Sequence, residues 1–570
     1  MMSIIKENGF KVLADYLTSM EITLYTGVTG GGVIHYLKYL APYTSEQKSP
    51  SLFTISEYPA GFTPLGYYVS TGKISAAIAT TGAATKLLSC GLSDAKLHDI
   101  PSVYIFPIST ARHVEDASLQ DSSIYGSNIV QQLLAEFPQH VFLLDNPFTF
   151  AKQLERAHQA LLSRKPVIFL LDNEMMSLPV TEFPVISNNK PINKNSEITS
   201  FIRLFRESVQ DKQVLLLVGE EGMHDSSMRK LTTAVCRELK AAVVWSINGG
   251  NCIESSNPYA YGYISFGGND KALDIWDSIN EEDVVLCVGV TPDEYTTDLK
   301  KISAGDVFFL TNTENAYGQI RGNLHHSAQH RVHQLNAPMN EVLQKIINET
   351  QQKSFATKPC QVATADLNKR EILPPQKEYA DMAKVYARLY KWWQPNSVVI
   401  SDVCLAYKDY QYVTQRPNDA ITYFSFYRGS AMGGAYGVAI GAKLASPDKR
   451  VYLFSGDGCF RLYGGSLSEA KDLGIVLFLL DNHTYSIVAQ GLPIILPTVD
   501  SERFHDKLNK TDYCKIAEAS GWLSYSVLSD LSNFDDILRE IEKNKLQSII
   551  VSIPVDPEQI LGQNPRVRNL

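Results

Sequence analysis

The chain has 570 residues, with 52 Lys and Arg against 61 Asp and Glu and a formal net charge of −9. Hydrophobic residues make up 44% of it, which excludes a mainly disordered chain, a collagen and a small disulfide scaffold. An acidic chain without a basic run is not expected to bind nucleic acid. This length predicts about three or four domains.

The N-terminal segment and the cysteines indicate a cytoplasmic protein. Lys6 interrupts the first apolar residues, so we expect no secretory signal. No apolar stretch reaches the roughly eighteen residues of a membrane span, and we expect no membrane partner. The eight cysteines are scattered and form no Cys-x-x-Cys pair, which is typical of single thiols in a reducing compartment.

Short apolar runs alternate with helical stretches in three groups along the chain. The clearest runs are TLYTGV (23–28), SVYIFPI (102–108), QVLLLVG (213–219), DVVLCVG (283–289), SVVISDV (397–403) and IVLFLLDN (475–482). Strands that are apolar on both faces and separated by helices predict parallel sheets with helices on both sides. The fold class is therefore α/β, with three doubly wound parallel-sheet domains.

Two polar, proline-containing stretches predict the domain boundaries. The first covers 176–196, and the second contains a Pro-Pro pair that favours an extended linker over 351–378. We therefore expect an N-terminal domain over 1–180, a central domain over 195–350 and a C-terminal domain over 379–570.

The C-terminal domain contains two polar strand ends with complementary chemistry. Within RVYLFSGDGCF (450–460) the predicted strand ends in Gly456-Asp457-Gly458, and the following strand, in IVLFLLDN (475–482), ends in Asp481-Asn482. Neighbouring parallel strands present their carboxyl ends at one sheet edge, where open α/β sheets bind ligands. A carboxylate, an amide and a carbonyl oxygen suit Mg²⁺, with a diphosphate completing the coordination.

This strand–GDG–helix–strand–DN arrangement resembles the diphosphate–Mg²⁺ motif of thiamine-diphosphate (ThDP) dependent enzymes of the pyruvate oxidase/decarboxylase branch. The resemblance implies that Asp457 and Asn482 are side-chain ligands of Mg²⁺ and that Thr484 supplies a backbone carbonyl. Asp481-Asn482 stands where the family usually has Asn-Asn. The remaining residues expected at the cofactor from the same segments are Gly458, Cys459 and Ile487.

Two further segments are similar to the same family. ISEYPAGFTPLGYYVSTGK (55–73) resembles the N-terminal, pyrimidine-binding domain, and it places Glu57 where the family has the acid that bonds the aminopyrimidine N1′. FSFYRGSAMGGAYGVAIGAK (424–443) resembles the segment before GDG, with Met432 between the two cofactor rings and the backbone of Ser430 accepting from the 4′-amino group. The C-terminal domain is then the diphosphate-binding domain.

The resemblance implies decarboxylation of a 2-keto acid, after which the acyl carbanion has several fates. Aldehyde-releasing decarboxylases carry an acid in the first Gly-rich turn, a His-His pair and a Glu after the Asn motif. Here the turn at 27–32 has no acid, His113 is alone and Val488 replaces the Glu. An acyl carbanion that is not readily protonated attacks a second carbonyl, so an acetolactate synthase-like carboligase is favoured.

Two alternatives remain open. A non-oxidative 2-keto acid decarboxylase could take its proton from His113 or His483, the two histidines in segments that face the cofactor in the family. His35 and His98 are further candidates for acid/base groups. From another class, the chain could be a catalytically silent homologue that binds ThDP without turnover.

The resemblance also implies the partners. We expect ThDP and Mg²⁺ as cofactors, a pyruvate-like 2-keto acid as donor and a carbonyl compound as acceptor. FAD is not expected, because GVTPDEYTTDL (289–299) and FFLTNTEN (308–315) match the flavin-binding stretches of carboligases poorly. Family members share each active site between two subunits, so a homodimer or homotetramer is expected.

Overall fold

The computed structural model describes residues 7–46, 49–109, 117–180, 182–185, 194–317, 323–352 and 355–564. Three parallel sheets of seven, six and six strands carry helices between most of their successive strands. The predicted fold class, three doubly wound α/β units, is confirmed. Within the described ranges no helix combines the length and the apolar character needed to cross a bilayer. The domain limits and the cytoplasmic location stay predictions.

The first sheet has the strand order β2-β3-β1-β4-β5-β7-β6. Its strands are β1 (Leu24–Gly27), β2 (Ala41–Pro42), β3 (Ser51–Thr54), β4 (Ala76–Ile78), β5 (Val103–Ile108), β6 (Val141–Leu144) and β7 (Val167–Asp172). Its helices are α1 (Gly9–Ser19), α2 (Ile34–Leu37), α3 (Glu57–Thr71), α4 (Ala83–Leu97), α5 (Ile129–Glu136), α6 (Phe150–Leu162) and α7 (Asn173–Met176).

The central sheet has the order β10-β9-β8-β11-β12-β13. Its strands are β8 (Val214–Val218), β9 (Ala242–Trp245), β10 (Ala260–Tyr263), β11 (Val284–Val288), β12 (Asp306–Thr311) and β13 (Arg331–Asn336). Its helices are α8 (Asn195–Ser208), α9 (Met228–Leu239), α10 (Asp270–Ser278), α11 (Asn323–Ser327) and α12 (Met339–Gln352). Every residue of β8 and β11 is buried, as their continuous apolar sequences predict.

The third sheet has the order β15-β14-β16-β17-β19-β18. Its strands are β14 (Ser397–Ser401), β15 (Ile421–Ser425), β16 (Val451–Gly456), β17 (Ile475–Asp481), β18 (Leu523–Ser526) and β19 (Ile549–Pro554). Its helices are α13 (Met382–Trp392), α14 (Ala406–Thr414), α15 (Gly434–Ala445), α16 (Asp457–Phe460), α17 (Ser486–Ile495), α18 (Tyr513–Ala519) and α19 (Phe534–Lys543).

In each sheet the strand order reverses at an inner pair of neighbouring strands, and such switch points are the usual ligand crevices of open α/β sheets. They lie between β1 and β4, between β8 and β11, and between β14 and β16. The strand order therefore predicts three candidate crevices, one in each unit.

The first and third units share one hydrophobic core, in which α3 packs directly on α15. The contact depends on glycine. A Cβ at Gly66 would lie 1.8 Å from the Val438 carbonyl oxygen, and a Cβ at Gly441 would lie 1.9 Å from that of Thr63. Only glycine lets the two backbones approach this closely, and the approach brings the start of α3 to the third sheet.

Candidate cofactor site

A cavity of about 230 Å³ lies at the switch point of the third sheet. Its walls come from the segments that follow β14, β15, β16 and β17 and from the start of α17. Eight of the residues expected at the cofactor line it together, namely Ser430, Met432, Asp457, Gly458, Cys459, Asn482, Thr484 and Ile487. Their individual roles stay predictions, but one cavity gathers all of them.

Asp457 begins α16 directly after the end of β16 and is 1% exposed. Its Oδ1 accepts from the Gly458 N–H at 3.0 Å and its Oδ2 from the His483 N–H at 2.9 Å. Burial, followed by the charge of Asp481, raises the pKa of Asp457 to about 6. A buried carboxylate beside a second one is stabilised by a bound cation.

The chemistry of the donor set fits Mg²⁺. Asn482 is buried, and its Oδ1 accepts from the Thr484 N–H at 3.1 Å. The Thr484 hydroxyl donates to the Asp506 carbonyl at 2.8 Å, which fixes the turn after β17. Asp457, Asn482 and Thr484 thus offer one carboxylate, one amide oxygen and one backbone carbonyl around the cavity, the hard oxygen ligands that Mg²⁺ takes.

Asp481 and His483 form a second group of donors beside Asp457. One ligand atom from each of these three residues lies within 4.8 Å of the others. His483 Nδ1 is 3.2 Å from Asp481 Oδ1 and 3.9 Å from Asp457 Oδ2. Sequence reasoning gave Asp481 no role, although the departure from Asn-Asn was its signal.

Met432 lies on a short loop, 429–433, that is held in an unusual conformation. Ser430 and Gly433 have φ values of +50° and +79°. The Gly433 N–H donates to Asp402 Oδ1 at 3.0 Å, and the Ser455 hydroxyl donates to Asp402 Oδ2 at 2.8 Å. Burial raises the pKa of Asp402 to about 6. Sequence reasoning missed Asp402, whose signal is a carboxylate directly after the apolar strand β14.

Glu57 begins α3 and is half-buried at the contact between the first and third units. Both of its neighbours contact the third unit. The Ser56 and Ser466 hydroxyl oxygens are 2.5 Å apart, and the Tyr58 hydroxyl donates to the Met432 carbonyl. Glu57 is not among the residues that line the cavity. The structure nevertheless brings its segment and the Met432 loop together within one chain.

The histidines that were candidates for acid/base groups lie in different environments. His113 lies outside the described residues. His483 does not line the cavity, and its Nδ1 faces Asp481. His35 stacks on Phe10 with ring centroids 5.9 Å apart. Burial lowers the pKa of His98 well below its usual value, and the ring packs against Phe426. His98 is therefore a neutral, packed side chain.

The fold and this cavity define an α/β protein with an open cavity at the switch point of its third sheet. Residues 7–126 match the family model "Thiamine pyrophosphate enzyme, N-terminal TPP binding domain", and residues 404–552 match "Thiamine pyrophosphate enzyme, C-terminal TPP binding domain". The chain therefore contains the N- and C-terminal domains that characterise thiamine pyrophosphate enzymes. The predicted resemblance, the predicted ThDP cofactor and the prediction of an enzyme are thereby confirmed.

Several curated relatives are similar over most of the chain. A probable acetolactate synthase large subunit of Methanococcus aeolicus is 21% identical over 98% of this chain and 94% of its own. Acetolactate synthase isozyme 2 large subunit of Escherichia coli K12 is 22% identical over 90% of each chain.

One solved structure supports the fold. The ThDP-dependent 4-hydroxybenzoylformate decarboxylase of Rhodococcus jostii RHA1 superposes with a TM-score of 0.75 at 16% identity, covering 96% of this chain and 99% of that one. At this identity the likeness concerns the three-domain fold.

Proposed function

We propose that the protein is a ThDP- and Mg²⁺-dependent carboligase that decarboxylates a pyruvate-like 2-keto acid and transfers the acyl group to a second carbonyl compound. The relatives named acetolactate synthases, which match over 90% or more of the chain, support this proposal. FAD is not one of the cofactors in this proposal.

The observation that carries the choice of carboligation is the chemistry of the cavity wall. Among the described residues that line the cavity, Asp457 has the only carboxyl group, and no imidazole is present. Ile487 and Val488, at the start of α17, add apolar side chains. Burial raises the pKa of the Cys404 and Cys459 thiols. A cavity wall that, among its described residues, has no imidazole and no carboxyl group besides Asp457 favours addition to a carbonyl over protonation.

The residues have distinct tasks in this proposal. Asp457, Asn482 and Thr484 would hold Mg²⁺, and the metal would bind the cofactor's diphosphate. ThDP, when bound, supplies the electron sink for loss of carbon dioxide. Met432 and Ser430 would orient it from the loop that Asp402 holds. Glu57 would hold a proton at the aminopyrimidine N1′.

The function is tested with purified protein, ThDP, Mg²⁺ and a panel of donors, including pyruvate and 4-hydroxybenzoylformate, with and without acceptor aldehydes and keto acids. Carbon dioxide and organic products are followed by NMR, with Glu57→Gln as the blank. We expect a hydroxyketone that the blank does not form. An aldehyde as the sole product would instead establish the decarboxylase alternative, and ThDP binding without carbon dioxide release would establish the silent homologue.

The proposal includes a homodimer or homotetramer whose active sites lie between subunits, and a mixing experiment tests it. Glu57→Gln and Asp457→Asn are each expected to be inactive. If each site takes Glu57 from one subunit and Asp457 from the other, refolding an equal mixture restores about a quarter of the activity, because half of the dimers then have one intact site. No recovery would mean that the site lies within one chain, where the contact of Tyr58 with Met432 places the two segments side by side.

A further inference from the structure

The switch point of the central sheet lies between β8 and β11, and acidic residues follow both strands. Glu220 comes two residues after β8, and Asp293 lies in the segment that follows β11. Their side chains are only 13% and 11% exposed. This is the position where an open α/β sheet usually binds a ligand, and two nearly buried carboxylates there require a cation.

The cation is Arg428, which comes from the third unit. Its Nε donates to Asp293 Oδ2 at 2.7 Å, and its Nη2 lies 3.0 Å from Glu220 Oε1. The Tyr427 hydroxyl also donates to Asp293. Arg428 is 4% exposed at its side chain. Burial alone would lower its pKa, but Tyr427, Glu220 and Asp293 outweigh this and raise it well above the usual value.

The same guanidinium reaches the first unit. Its Nη1 donates to the Leu97 carbonyl at 3.4 Å and lies 3.3 Å from His98 Nδ1. The backbone then continues into the loop at the cofactor cavity, where the Gly429 N–H donates to Asp94 Oδ1 at 3.0 Å. Ser430 and Met432, which line that cavity, follow directly. Arg428 is therefore the residue through which all three units contact the beginning of this loop.

We propose that Arg428 is a positioning residue of the cofactor site, and that the crevice of the central sheet binds its side chain as an internal ligand that fixes the loop carrying Ser430 and Met432. The central domain then contributes to cofactor binding without touching the cofactor. This inference rests on the proposed contact of Ser430 and Met432 with ThDP, but its effect on the loop is measurable without cofactor.

The primary variant is Arg428→Ala, with Asp293→Asn as the milder change should the first fail to fold. Arg229→Ala is the matched control, because Arg229 also joins the central and third units. It does so by donating to the Asp419 and Ile421 carbonyls, away from the loop. Amide hydrogen exchange of 427–435 is measured without cofactor, and the ThDP dissociation constant is measured by calorimetry with Mg²⁺.

We expect Arg428→Ala and Asp293→Asn to speed exchange at Gly429 and Gly433 and to weaken ThDP binding by about tenfold. Methylguanidinium, which fits the vacated crevice of Arg428→Ala, should restore both properties and leave the wild type unchanged. Arg229→Ala should lower thermal stability without either change. Unchanged exchange and unchanged affinity in Arg428→Ala, or equal effects in Arg229→Ala, would overturn the proposal. If the wild type binds no ThDP but Arg428→Ala still exchanges faster than the wild type at Gly429 and Gly433, the positioning role of Arg428 stands and only the proposed function is rejected.

Discussion

The third and central sheets each have a crevice at the switch point of the strand order. The crevice of the third sheet is a cavity, here called the open crevice, and that of the central sheet holds the Arg428 side chain and is called the filled crevice. In the third sheet, β16 runs into Gly456-Asp457-Gly458, and the small residues leave a cavity of about 230 Å³. In the central sheet, Glu220 and Asp293 bind the buried guanidinium of Arg428. The sheet order supplies a place for a ligand. The size and charge of the residues at the strand ends then decide whether that place is an open cavity or holds a side chain of the same protein.

The largest expected effect on cofactor binding comes from removing the charge of the cavity in the third sheet. Asp457→Asn should weaken ThDP binding in the presence of Mg²⁺ by about 100-fold or more, since even indirect partners of a metal commonly contribute 10- to 100-fold. Calorimetric titration of ThDP with excess Mg²⁺ measures this. Asp481→Asn, which restores the family's Asn-Asn pair, is the control and should bind ThDP as the wild type does. Equal losses in the two variants would instead assign the metal to the group of Asp457, Asp481 and His483.

The next effect concerns the packing that places the first unit against the open crevice. A Cβ at Gly441 would meet the Thr63 carbonyl oxygen at 1.9 Å, and helix backbone cannot move aside cheaply. We expect Gly441→Ala to lower the free energy of unfolding by about 3 kcal/mol, despite the higher helix propensity of alanine. Denaturant titration measures the change. Gly465→Ala, whose Cβ would meet nothing within 4 Å, should stay close to the wild type.

The pH dependence of stability tests Asp94, whose carboxyl accepts from the Gly429 N–H of the loop at 429–433. Burial raises the pKa of Asp94 to about 7, with Arg428 opposing and Asp402 adding to the shift. Because the folded state holds this proton more tightly, stability contributed by Asp94 is present near pH 4 and is lost as the pH rises through 7. Asp94→Asn keeps an acceptor for the Gly429 N–H and cannot ionise.

We therefore expect the stability of Asp94→Asn relative to the wild type to rise by about 4 kcal/mol between pH 4 and pH 8. Urea unfolding of both proteins across this range measures the difference, in which the other titrating groups largely cancel. A constant difference at all pH values would show that Asp94 does not titrate in this window.

The smallest effect comes from partly filling the open crevice. A Cβ at Gly458 would lie 2.7 Å from Cε1 of Tyr485 and 3.5 Å from Cε of Met432. The Tyr485 ring can shift, so we expect Gly458→Ala to fold and to bind ThDP about tenfold more weakly. The dissociation constant checks this, with Gly465→Ala again as the control. Unchanged affinity would place the cofactor away from this wall.

The sequence predicted much of the fold and of the open crevice because both depend on local patterns. Apolar runs of strand length identify the parallel strands, and the polar residues directly after β16 and β17 identify the carboxyl edge. Asp457, Asn482 and Met432 were therefore found from short segments, and the structure gathers them in one cavity. Asp402 was not predicted from the sequence, because a single carboxylate after a strand does not by itself indicate a function.

The filled crevice was decided only by the tertiary structure. Glu220 and Asp293 are ordinary acidic residues in the sequence, and Arg428 lies more than a hundred positions from either of them. Their pairing follows from the packing of three separate units, which no local pattern records. The sequence by itself determined the three-domain α/β class and the ThDP chemistry, because motif residues lie close together along the chain. The contact of Tyr58 with Met432 and the burial of Arg428 required the tertiary structure, because long-range packing brings those side chains together.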